Sequence, residues 1–317
     1  MPTLLDYRRR IRSVKNTQQI TRAMKFIAAA KLRRAQEGVF AARPYARGIL
    51  RVLRSAAARV ETTAHPLLER RPEERLLVVV VTGDRGLCGA FNTNVIRRAT
   101  EFFREHASQE IQVIAAGKKG RDTLRRRGRT FAAEYMNVSG KVEFATAKEI
   151  SARIAEMYAK REVDGVYAIY NEFKNVMVQK LRTMKLLPID PGILVSETGD
   201  AGKEKAPVQE PGEMAEGVKQ REGEKGNAPL LVDYIYEEPI EEIFSGLLPR
   251  YLDSEVFRVM LESAAAEHAA RMTAMDSATR NASKFIDRLT LDMNKIRQAS
   301  ITKELIEIVS GAASATS

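Results

Sequence analysis

The sequence predicts an α/β fold in which a central sheet domain is carried on two long terminal helices. Three observations carry that expectation. Residues 3–42 hold no Pro and a single Gly, Gly38, and are rich in Ala, Arg, Lys, Gln and Met, so the chain opens on one long helix. Between about 76 and 195, strand-sized apolar runs alternate with helical patterns, which argues for a parallel or mixed sheet with helices on its faces. Beyond Pro249 there is no further Pro, and no Gly falls between Gly246 and Gly311, so the chain closes on a second long helix.

Each terminal helix shows a narrow apolar stripe. At the N-terminus it runs through Leu4, Ile11, Val14, Ile20, Met24 and Ile27, followed by Ala28–Ala30, with Arg and Lys on every other side. Pro44 is expected to kink or restart the helix, and the pattern resumes through Ile49, Leu50, Val52 and Leu53 to about Arg59. At the C-terminus Met275, Ala278, Ala282, Phe285 and Leu289 step by three and four, and Met293 and Ile296 extend the stripe. A helix of some sixty residues is roughly 90 Å long, more than one compact core can cover. Antiparallel pairing of the two helices as a coiled coil solves the problem. Wrapping both around a globular core would call for broader stripes and more aromatic residues than the 6% present.

In the middle, Leu76–Thr82 reads as a buried strand, followed by a Gly-rich turn and a helix to about Glu105. Ile111–Gly117, a basic helix over Lys118–Arg127 and a short strand near Thr130–Tyr135 come next. A helix over Ala147–Arg161 leads to a hairpin of Val166–Phe173 and Val176–Leu187. Residues 197–229, with six Gly, three Pro and no aromatic, cannot bury a core and read as a flexible insertion, after which Tyr234–Pro239 is expected to return a last strand. The expected division is residues 1–60 and 241–317 for the coiled coil and 76–240 for a Rossmann-like α/β domain.

Composition narrows the classes. The 317 residues are 44% hydrophobic, ordinary for a folded chain, and the longest apolar run, Leu76–Val81, is far short of a membrane span. The N-terminus lacks the apolar core of a secretory signal, so none is expected. Cys88 is the single cysteine, which fits a reducing compartment. The net charge of +11 is unevenly spread: residues 1–60 carry 15 Lys and Arg against Asp6 and Glu37, a balance of +13, leaving −2 for the remainder. Such a block suggests nucleic acid, an anionic membrane or an acidic protein partner, or simply a solvated helix face.

Catalytic signals are poor. Gly83, Gly86 and Gly89 lie between a strand and a helix, where backbone amides can receive a phosphate, but the spacing matches neither a dinucleotide nor a P-loop fingerprint. A structural strand-to-helix turn is the simpler reading. His65, His106 and His268 are scattered and Cys88 has no second thiol, so no metal set emerges. Asp84 and Arg85 near Cys88 suit backbone pairing better than catalysis. The chain is therefore not expected to be an enzyme by itself, and no cofactor is expected. A basic coiled-coil nucleic-acid-binding protein stays as the alternative, although the bases are interleaved with the stripe and Tyr7, Phe26, Phe40 and Tyr45 are too sparse for a stacking platform.

The terminal segments are specific. LLDYRRRIRSVKNTQQITRAMKFIAAAKLRRAQ, RPYA at Arg43–Ala46, VTGDRGLCGAFN and the closing ITKELIEIVSGA strongly resemble, in order, the gamma subunit family of F-type ATP synthases, across about residues 1–312. The resemblance implies a noncatalytic central rotor shaft for ATP synthesis or hydrolysis. Its coiled coil would sit inside a ring of three alpha and three beta subunits, with its α/β domain near the epsilon subunit and the c-ring, through which membrane association would be indirect. It carries Met24 to a position near the acidic lever loop of beta, and Arg271, Arg297, Gln298, Thr302 and Glu304 to positions that engage the catalytic ring. By pattern, Lys25, Arg33 and Arg34 suit acidic beta or epsilon surfaces. The implied location is the cytoplasmic face of a bacterial cell membrane, since no transit peptide precedes the motif. Residues 197–229 look longer than the usual bacterial version, and the paired regulatory cysteines of chloroplast forms are absent.

Overall fold

The computed structural model describes residues 3–57, 59, 65–190, 237 and 239–315. The first helix, α1 (Leu4–Ala57), has 54 residues and the last, α5 (Ile240–Ala315), has 76. At 1.5 Å per residue they are about 81 and 114 Å long. They run antiparallel. The Thr21 and Thr279 hydroxyls share a hydrogen bond of 2.8 Å, Lys25 pairs with Asp276, and a Cβ on Gly38 would lie 3.2 Å from Leu261 Cδ2. As α1 rises by residue number, α5 descends, so residues from about 297 to 315 extend past the start of α1 at Leu4, an overhang of about 28 Å.

The seam differs from the stripe the sequence suggests. On α1 the covered positions are Ile11, Val14, Gln18, Thr21, Lys25, Ala28 and Leu32, in strict three-four spacing. On α5 they are Met275, Thr279, Ala282, Ile286, Leu289, Met293 and Ile296. Ile20, Ile27 and Phe285 point outward, at 59, 58 and 50% exposure. Small side chains decide this. Ala28, Ala265 and Ala269 are fully covered and bring the backbones close, and the rigid three-four spacing then puts Gln18, Thr21 and Lys25 into contact whatever their polarity.

Pro44 does not restart the helix. It lies inside α1 on an exposed face, where solvent can satisfy the carbonyl its missing N–H leaves behind. The flanks are held: Leu32 packs with Ala265 and Ala269 before it, and Ile49 and Leu53 enter the main core after it. Pro249 is likewise exposed inside α5, between buried Leu248 and Tyr251.

A 3-10 turn (Pro66–Leu68) leads into the sheet domain. Its elements are β1 (Arg75–Val81), α2 (Phe91–Glu105), β2 (Glu110–Ala116), α3 (Lys118–Arg126), β3 (Phe131–Tyr135), α4 (Phe144–Ala159), β4 (Gly165–Phe173) and β5 (Gln179–Leu187). The strand order is β3-β2-β1-β4-β5, parallel throughout except for β5, which closes one edge as the antiparallel half of a hairpin. The order 3-2-1-4 is that of a dinucleotide-binding half-fold, so the α/β, Rossmann-like expectation holds. The expected strand at Tyr234–Pro239 and the 197–229 insertion lie outside the described residues.

β1 is buried on both faces, as a central parallel strand must be. Leu76, Val78 and Val80 pack under α2 and α3 with Val95, Phe102 and Leu124. Leu77, Val79 and Val81 face α4 and a larger core that takes in Ile49, Leu53 and Ala56 of α1 and Leu248, Leu252 and Val256 of α5. The base of the rod is thus one layer of the domain.

Leu53, fully buried where rod and domain share a core, should lose about 2–5 kcal/mol of stability when changed to Ala. Ile27→Ala, on the outer flank, should stay within about 0.5 kcal/mol. Urea unfolding of the full chain, compared for the two variants, checks both values; equal losses would refute the seam described.

Candidate functional site

The sheet's C-terminal edge, where a doubly wound fold receives its ligand, is filled by the chain itself. Thr82, just past β1, accepts the Gly120 N–H at 2.9 Å through its hydroxyl. A Cβ on Gly117, at φ 109°, would lie 2.0 Å from the Thr82 carbonyl oxygen, so only glycine fits between the ends of β1 and β2. Asp84 Oδ1 accepts the N–H groups of Lys118, the first residue of α3, and Asn137, both at 3.0 Å. Its Oδ2 accepts from the N–H and hydroxyl of Ser139. A carboxylate of the chain therefore caps the N-terminus of α3, the helix that follows β2, where the helix dipole favours an anion. Gly83 N–H donates to Asn92 Oδ1, and Asn92 Nδ2 donates to the Arg85 carbonyl and Cys88 Sγ. Within the three-glycine turn the Gly83 N–H, the Gly83 and Arg85 carbonyls and Asn92 are all bonded inside the chain.

That turn is built against α5. Cys88 and Phe91 pack on Ala266, with Phe173 and Ala270 at the margin. Burial, together with the nearby Glu267 carboxylate, pushes the Cys88 thiol above its ordinary value. Gly83 meets Glu267 face on: a Cβ there would come within 2.7 Å of the Glu267 carboxyl carbon. Glu267 is 2% exposed, and its Oε1 accepts from Arg271 Nη2. The same Nη2 reaches the carbonyls of Arg85 and Gly86 at 3.5 and 3.4 Å, and Nη1 lies 3.2 Å from His268 Nδ1. Burial, then the positive charges of Arg271 and Lys31, lowers His268 to about 4, which keeps the ring neutral and able to accept from Arg271. Nearer the base of the rod, Arg258 lies between Glu255 and Glu262 and within 3.3 Å of Met184 Sδ on β5. Burial acts to lower Arg258, yet the two carboxylates carry it well above its ordinary value, and burial raises Glu262.

The residues singled out from sequence fall into four places. Met24 is half-buried beside the seam. Lys25 and Arg271 spend their charges within the chain, on Asp276 and Glu267, and Asp276 also receives Arg280. Arg297, Gln298, Thr302 and Glu304 are exposed on the far part of α5, where Thr302 donates to the Gln298 carbonyl and Glu304 accepts from Ser300. Arg33 and Arg34 are exposed on α1, with Arg33 on Glu37. Glu267 escaped the sequence reading, and His268 was noted there only as one of three scattered histidines. The signal for Glu267 was its four-residue spacing from Arg271, an ordinary helix-surface pair whose burial the sequence does not reveal.

Known proteins agree with this architecture. The sequence profile of the family described as ATP synthase matches residues 3–315. The chain is 46% identical over 313 residues to the ATP synthase gamma chain of Pelotomaculum thermopropionicum, covering 99% of both chains. It is 48% identical over 319 residues to that of Solibacter usitatus, covering 99% of this chain and 100% of the relative. In structure it resembles a chain of the Euglena gracilis mitochondrial ATP synthase OSCP/F1/c-ring assembly in rotational state 3, with a TM-score of 0.61, 20% identity and 98 and 94% of the two chains covered, a likeness of fold. With full-length matches of this kind to sequences of one description, the chain belongs to the ATP synthase gamma chain family.

Proposed function

We propose that the chain is the noncatalytic central rotor shaft of an F-type ATP synthase, coupling rotation of a c-ring to the conformational cycle of three beta subunits. The observation that carries this reading is the outward side of the rod. Ile20, Phe26, Ile27, Phe285 and Leu291 project from the paired region at 50–63% exposure, and Ile301, Leu305, Ile306, Ile308 and Val309 from the overhang at 50–67%. Large apolar side chains displayed along a rod mark a surface that another body covers. A ring of alpha and beta subunits, three of each, is such a body, while the epsilon subunit and the c-ring take the opposite, α/β end. In this reading the rod is residues 1–60 and 241–317, and the α/β domain is 76–240.

Coupling needs contacts whose energy changes with angle, because a partner with equal affinity for every face of the rod shifts no equilibrium. Two helices of unequal length, with different residues on each side, present a different face to each of three equivalent partners. Met24 and the exposed polar residues Arg297, Gln298, Thr302 and Glu304 are the side chains assigned to the beta contacts, with Arg33 and Arg34 set towards acidic surfaces. Lys25 and Arg271 contribute by fixing the shape of the rod from within. No helix among the described residues is long and apolar enough to cross a membrane. Attachment is therefore assigned to the c-ring, at the cytoplasmic face of a bacterial membrane.

Affinity-tagged chain, expressed with its operon partners, should bring down alpha and beta in about threefold excess together with ATPase activity, as a ring around one shaft requires. Recovery alone, or with nucleic acid in a salt-sensitive complex, would defeat the reading. Joint replacement of Arg297, Gln298, Thr302 and Glu304 by Ala should lower coupled ATP synthesis at least about fivefold. The unfolding free energy of the isolated chain should move by less than about 0.5 kcal/mol, because none of the four is buried.

A further inference from the structure

We propose that Glu267, Arg271 and Gly83 form a torsional anchor, a bracket that fixes the rod to the α/β domain at the level where the rod leaves it. The proposal rests on the rotor reading and concerns positioning residues within it. Below this level α5 is enclosed by the domain, through the core shared with β1, β4, α4 and α1. Just above it, Gly89 comes close to Ala274, where an added Cβ would lie 3.9 Å from Ala274 Cβ. Further along, the cross-rod contacts of α5 are to α1, beginning with Asp276 on Lys25 and Thr279 on Thr21. A twist applied between tip and base concentrates at such a change of stiffness.

Apolar packing resists separation, but it is non-directional and tolerates small rotations of a helix in its groove. The bracket is directional. Arg271 is held on one side by Glu267 of its own helix and on the other by the Arg85 and Gly86 carbonyls of the domain. The guanidinium is a planar fork, so rotation of α5 about its axis breaks the carbonyl contacts before the apolar core yields. Gly83 completes the device by shape. Its φ is not in the left-handed region, so the backbone there does not require glycine. What requires it is the Glu267 carboxylate, packed flat against the Gly83 Cα with no room for a methyl group. Glu267 Oε2 makes no hydrogen bond among the described residues, so the carboxylate is held by Arg271 and by this contact. A buried half-satisfied carboxylate is costly to keep, and its fixed geometry is what the cost supports.

The test uses the assembled complex in inverted membrane vesicles and reads protons pumped per ATP hydrolysed. Glu267→Gln removes the charge from the rod side, and Gly83→Ala displaces the carboxylate from the domain side. Each should lower the ratio at least about fivefold, and the double variant should do no worse than the more severe single one, since both break a single contact. Arg271→Lys, which keeps the ion pair but loses the fork, should lower the ratio while leaving thermal stability close to the parent. A ratio equal to the parent in assembled E267Q and G83A complexes, or losses that multiply in the double variant, would overturn the proposal. If E267Q or G83A fails to assemble, R271K decides in the same way. A parent complex with neither ATPase activity nor pumping would instead remove the rotor reading itself.

Discussion

Two helices lying side by side can cover only one seam on each other, and that limit governs the molecule. Along α1 and α5 the seam takes one position in every three or four, so most of each helix surface is left to solvent or to another body. The base of the rod escapes the limit by becoming a layer of the sheet domain, where Leu53, Leu248 and Leu252 are buried almost completely. The tip does not escape it, and there the apolar residues lie outside. The gradient from enclosed base to naked tip runs along a single continuous helix of 76 residues. Buried apolar surface is concentrated at one end and exposed apolar surface at the other.

Polarity within the seam follows from the same limit. Thr21 with Thr279 and Lys25 with Asp276 are hydrogen-bonded pairs where a longer apolar run would permit sliding by a heptad. Polar pairs at such positions specify register at some expense of stability. For a rod with little apolar seam to spare, a defined register keeps the domain and the tip at a fixed separation. The strand of positive charge on α1 is thereby partly assigned: Lys25 belongs to the seam, while Arg33 and Arg34 remain on the surface.

The sheet was legible because central parallel strands have little solvent face: Leu76–Val81 is a continuous apolar run and Ile111–Ala116 one interrupted only by Gln112, and both are buried strands in space. The long helices were legible from long stretches with little or no Gly and Pro, residues 3–42 and 250–310. The seam was read correctly at Ile11, Val14, Ala28, Met275, Ala282, Leu289, Met293 and Ile296 but one position astray at Ile20, Ile27 and Phe285, which looked like core by size. In a compact protein that inference is sound, because large apolar groups there have only the interior to go to. In a rod, small residues define the line of contact and large ones are free to face a partner. The Gly83–Gly89 turn was recognised as structural, but its companion on α5 was not, because the approach of Glu267 to Gly83 joins residues 184 positions apart.

Asp84 gives the domain a property beyond architecture. A doubly wound sheet whose anion pocket is empty gains stability whenever a phosphate-bearing metabolite fills it, by an amount that rises with the concentration of that metabolite. Here the amides of Lys118, Asn137 and Ser139 already hold an anion that is covalently part of the chain. Its effective concentration is constant. In a cell whose ATP and ADP levels rise and fall, the anion that caps α3 does not come and go with them.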